Sequence, residues 1–164
     1  MSGLVGRLKE RPLESLPAAF SFWLRHAETK ATMSAMHRLE ELVDYYVQRL
    51  SGPEAENAWH SLVEEGPAAL TYLLNFFAST KDKELQIRLI QIVCQYRSEK
   101  AIPFLEKQLH HPVPEIWKTA LDGLVMIGTK TSLELLAAAS LKAPAERREW
   151  IQEAMQQIHE GLDG

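Results

Sequence analysis

Residues 113–128, VPEIWKTALDGLVMIG, carry the pattern that decides the fold. Ile116, Ala120, Leu124 and Ile127 recur at the three- and four-residue spacing that lines one face of an α-helix. Pro114 stands where that helix should begin, because its φ is already helical and it lacks an N–H that would go unsatisfied there. Gly128 stands where it should end.

The pattern repeats on both sides with a period of about 31 residues, inside the range of solenoid repeats. Leu85, Leu89, Val93, Tyr96, Ala101 and Leu105 align with Ile116, Ala120, Leu124, Ile127, Ser132 and Leu136. One period further on lie Arg147, Ile151, Met155 and Ile158. One period back lie Glu54, Ala58, Leu62 and Glu65, followed by Leu70 and Leu74. Two short helices per period form an antiparallel hairpin. Such a hairpin cannot bury its apolar stripe alone, so neighbours must stack.

The spacing predicts helices near 17–28, 30–50, 53–65, 67–79, 83–97, 99–110, 114–127, 131–142 and 145–161, with a short turn near 4–10. No breaker separates Ala27 from Ala31, so the first two of these are equally readable as one helix. Pro53, Pro67 and Pro144 mark further helix starts, Asp82 is an expected N-cap, and Thr131 with Glu134 has capping-box spacing. Gly66 fits a helix end.

EEGPAALTYLLNFF (64–77) resembles the turn and second helix of a HEAT-like repeat, and EKAIPFLEKQL (99–109) resembles a second helix. VPEIWKTALDGLVMIG resembles a first helix. The family's Val-Arg pair early in that helix appears here as Leu85-Gln86 and Ile116-Trp117, with Arg recovered only at Arg148. The resemblance covers roughly 53–161. It implies an all-α fold, a short right-handed solenoid of antiparallel helix pairs. Residues 1–52, with the aromatic run Phe20, Phe22 and Trp23, are expected to form an N-terminal helical cap packed on the repeats of 53–164.

The chain has 164 residues, 46% of them hydrophobic, which suits one domain and argues against disorder. Its one cysteine, Cys94, rules out an intrachain disulfide and fits a reducing compartment, so a cytoplasmic location is expected. The amino-terminal stretch MSGLVGRLKERPLESL lacks the apolar core of a secretory signal.

Little in the sequence points to catalysis. HEAT-like iron hydroxylases place several His-Glu pairs on successive repeats, whereas here a single pair, His159-Glu160, is present. His110 and His111 share a turn with Glu115 nearby, while His26, His37 and His60 have no ligand spacing. Cys94 lies among apolar residues and is expected to be a core residue rather than a nucleophile. HEAT-like DNA glycosylases would give roles to Trp117 and Asp122. The formal charge of −4, and six bases against four acids in 81–111, oppose phosphate binding. A cofactor-associated accessory of the bilin lyase type is the alternative. No catalytic, cofactor-binding or metal-ligating residue is assigned, and no cofactor is expected.

The remaining expectation is a protein-binding scaffold, an adaptor or an inhibitor of a partner with a basic surface, a bacterial immunity protein being the specific case. If second helices line the binding face, equivalent positions form rows. One runs Tyr72, Pro103, Glu134 and the next Phe76, Lys107, Ala138. Tyr72, Asn75, Phe76, Lys107 and Glu134 are therefore the candidate partner-binding residues, with the two aromatics as anchors or, alternatively, packed against helix 30–50.

Overall fold

A computed structural model describes residues 18–163, with side chains from 29 to 162. Eight α-helices and two short 3₁₀ turns make up the ordered elements among them, and these residues contain no strand. The helices are α1 (Ala18–Val47), α2 (Ala55–Glu64), α3 (Leu70–Ser79), α4 (Lys83–Gln95), α5 (Ile102–Gln108), α6 (Pro114–Ile127), α7 (Lys130–Lys142) and α8 (Ala145–Asp163). The 3₁₀ turns Gly66–Ala69 and Glu99–Ala101 lead into α3 and α5.

The chain between 18 and 47 is one helix, not two. Nothing in HAETKAT (26–32) interrupts helical backbone, so the continuous reading is the correct one. Residues 48–54 then form turns in place of the predicted end of that helix, and α2 starts at Ala55, two positions after Pro53. The turn expected near 4–10 and the side chains of Phe20, Phe22 and Trp23 lie outside the described residues.

Two compact units divide the chain, one ending at Glu41 and the other beginning at Leu42. In the first, residues 29–38 are all exposed, and His37 pairs with Glu41 at 3.3 Å. The second carries the repeats. Its buried residues begin with Val43, Val47 and Leu50, so this unit opens within α1.

Local chemistry sets each boundary. The Asp82 carboxylate accepts the N–H groups of Glu84 and Leu85 at 2.9 and 3.2 Å, capping α4 as its position predicts. Pro114 occupies the first turn of α6, and the Gly128 N–H closes that helix onto the Leu124 carbonyl at 3.1 Å. Thr131 does not cap α7. Thr129 does, its hydroxyl accepting the Ser132 N–H, because the left-handed Gly128 turns the chain one step earlier.

First helices α2, α4, α6 and α8 pack in sequence, and each second helix packs against the first helix that follows it. The periodic positions fill the space between. Ala58, Leu89, Ala120 and Ile151 are all buried, as are Leu62, Val93 and Leu124. Burial therefore repeats in the register that the sequence shows, and the unit is an all-α solenoid of stacked hairpins. Tyr96 ties two periods together by donating from its hydroxyl to the Leu62 carbonyl at 2.6 Å.

Candidate functional site

The second helices present rows of equivalent positions, and burial sorts them. Leu70 on α3, Ala101 at the end of the 3₁₀ turn that leads into α5, and Ser132 on α7 face inward. Asn75, Glu106 and Ala137 are exposed on the same three helices and form the most outward row. Beside it, Pro103 and Glu134 are exposed with Tyr72 half-buried, and Lys107 and Ala138 are exposed with Phe76 half-buried. Glu134 pairs with Lys130 at 3.7 Å on its own helix.

The core stripe of α3 is Leu70, Leu73 and Phe77, with Leu74 only half-buried. Phe77 meets Phe104 of α5 edge-on, ring centroids 5.0 Å apart, which joins successive second helices. Tyr72 and Phe76 lie at the margins of that buried face. On α7 the apolar residues Ala137, Ala138 and Leu141 all face solvent, Leu141 at 84% exposure.

A second cluster, on α6 and α8, brings Trp117 together with Lys118, Arg147 and Trp150, which the sequence does not connect to it. Trp117 is buried and meets Trp150 edge-on at 6.3 Å. Lys118 Nζ sits 4.1 Å from the Trp150 ring centre, and the Arg147 guanidinium lies 5.0 Å from that of Trp117. Arg147 also donates to the carbonyls of Leu109 and His111 at 2.8 and 2.9 Å, satisfying the end of α5. Its position is the one held by Leu85 and Ile116 in earlier periods. An arginine at an apolar register position was the available signal.

Beside this cluster a groove between α6 and α8 encloses about 60 Å³, lined by Leu121, Asp122, Val125, Trp150, Glu153, Ala154 and Gln157. Partial burial raises the Asp122 carboxyl above its ordinary value.

The nucleophile and ligand candidates occupy structural positions. Burial, reinforced by the charge of Asp122, pushes the Cys94 thiol up to about 12, where no thiolate forms at neutral pH. His111 Nδ1 accepts the Val113 N–H at 3.1 Å within its turn, and His110 is exposed. His159 and Glu160 are exposed on α8. Among the described residues no three His, Cys, Asp or Glu side chains group closely enough to hold a metal ion. No helix among them is long and apolar enough to cross a membrane.

A family model described as HEAT repeats matches residues 70–156, more than half of the chain. No curated protein matches.

Proposed function

Because this chain belongs to the HEAT-repeat family, whose repeats generally serve as protein-interaction scaffolds, we propose that it is a non-catalytic adaptor or inhibitor that engages a protein with a basic surface. The observation that carries the reading is the outward row of the second helices. Asn75, Glu106 and Ala137 stay exposed at one register position on three successive hairpins, flanked by Tyr72, Phe76, Lys107 and Glu134. A regular stack of helices offers such positions as one continuous ridge to a partner. The half-buried aromatics supply apolar area at its edge, where truncation of an anchor costs about 2 kcal/mol or more.

The net charge of −4 favours encounter with a cationic partner and disfavours nucleic acid. An inhibitor of a co-encoded toxin, acting on the basic rim of its active site, is the specific form of this proposal. The test is affinity capture of a single stoichiometric protein, repeated with Asn75→Arg and Lys107→Glu together. Both positions are exposed, so the fold should survive. Capture that disappears with the variant and weakens with salt supports the reading. Capture unchanged by the variant places the binding face elsewhere, and a partner with no basic surface removes the electrostatic part.

A further inference from the structure

The groove between α6 and α8 combines features that the second-helix rows do not have. Its floor is apolar, made by buried Leu121 and Ala154 with half-buried Val125. One wall is Trp150, 43% exposed although it is the largest side chain on α8. Asp122 from α6 and Glu153 from α8 supply two carboxylates to the same groove. Neither has an ion-pair partner among the described residues. Lys118, one turn before Asp122 on α6, is held against the ring of Trp150 and near that of Trp117, and forms no ion pair with either carboxylate.

We infer that this groove receives an arginine side chain from a basic segment of the protein partner, its aliphatic stem on the apolar floor and its guanidinium between Asp122, Glu153 and the indole of Trp150. The inference rests on the protein-binding reading above and adds a second contact, on the first helices. Charge complementarity selects the occupant. Two carboxylates lining one groove, neither in an ion pair, favour a cation over an anion. A guanidinium is planar, stacks on aromatic rings and forms bidentate bonds to carboxylates, which suits this wall and rim better than an ammonium. The raised carboxyl of Asp122 marks an anion already partly desolvated, so a bound cation replaces solvation that the site has lost. Phosphate, and hence nucleic acid, would meet two carboxylates here.

The test uses the full chain labelled with ¹⁵N and a blocked tripeptide, acetyl-Ala-Arg-Ala-amide, beside its citrulline isostere. The indole N–H of Trp150, assigned by Trp150→Phe, should shift saturably with the arginine peptide and not with citrulline. Asp122→Asn with Glu153→Gln should weaken that response by about tenfold or more, since both charged contacts are lost. Thermal melts of the double variant establish that it remains folded. An equal response to citrulline overturns the inference, as does an arginine response untouched by the double variant. So does a Trp150 shift produced by a short DNA duplex but not by the peptide. Partner capture separates the two proposals: capture retained by Asp122→Asn with Glu153→Gln, together with a silent peptide titration, sinks the groove and leaves the scaffold standing.

Discussion

Arg97 holds the same left-handed backbone as Gly128, one repeat period further along, with φ of 46° against 62°. Gly66, one period before Arg97, has φ of 64°. All three end the first helix of a hairpin, where a left-handed residue turns the chain into the next element. Glycine adopts this conformation freely, whereas a side chain costs about 1–2 kcal/mol there. Arg97→Gly should therefore stabilise the protein by about 0.5–1 kcal/mol, after the larger chain entropy of glycine in the unfolded state is offset. Gly128→Ala should do the reverse, since its new Cβ would also stand 3.2 Å from the Val125 carbonyl. Urea midpoints of the two variants check both signs. A destabilised Arg97→Gly would mean that the arginine side chain contributes more than its strain removes.

Gly123 of α6 packs directly against Cys94 of α4. A Cβ there would overlap Cys94 Sγ and press on both Leu105 methyl groups, at 3.1 and 3.3 Å. Overpacking of this kind costs about 1–3 kcal/mol. Gly123→Ala should be strongly destabilising, and much of the loss should return when Cys94→Ala is added, because the sulfur is the nearest obstacle. A double-mutant cycle on thermal stability measures this. Simple additivity of the two substitutions would show that Leu105, not Cys94, sets the spacing.

Leu124→Ala should cost about 2–5 kcal/mol, since Leu124 is fully buried at the register position shared with Leu62 and Val93. Lys107→Ala, on the exposed face of α5, should change stability by no more than about 0.5 kcal/mol. Chemical denaturation of both gives the comparison. Equal shifts would contradict the burial register.

That register was the part of the fold most legible in the sequence. Ala58, Leu89, Ala120 and Ile151 keep one spacing because each must fill the same gap between stacked helices, so periodicity carries packing information directly. Boundaries set by proline, glycine and Asp82 were legible for the same local reason. Thr131 carries the capping-box spacing, but the backbone reversal at Gly128 leaves Thr129 as the threonine outside the helix. Arg97 was hidden because arginine has no compositional tie to left-handed backbone, and only the spacing from Gly66 to Gly128 points to it. The candidate surface was less legible. Exposure of Asn75 and Lys107 follows from helical phase, but the groove at Trp150 depends on which side chains two sequence-distant helices bring together. Its one sequence sign was Arg147 at a core position, where it satisfies the carbonyls of Leu109 and His111.

Cys94 gives the protein a stability that depends on alkaline pH. Its thiol titrates near 9.0 when unperturbed and is pushed up to about 12 in the fold, first by burial and then by Asp122. The folded state thus holds its proton more tightly than the unfolded state does. The resulting stabilisation is complete below pH 9.0 and is lost as pH rises from there through about 12. One proton sets a limit of about 1.4 kcal/mol per pH unit on the slope from this group. Tyr96 acts in the same direction, because burial and Glu65 raise its phenol as well. Urea denaturation between roughly pH 8 and 11 should show stability falling above about pH 9. Cys94→Ala should flatten the fall, and Tyr96→Phe should flatten what remains. Cys94→Ala also removes a buried sulfur, so the slope and not the level at roughly pH 8 decides. A slope unchanged by Cys94→Ala would mean that the thiol ionises in the folded protein as easily as in the unfolded chain, and that the contact between α4 and α6 at Gly123 is open to water.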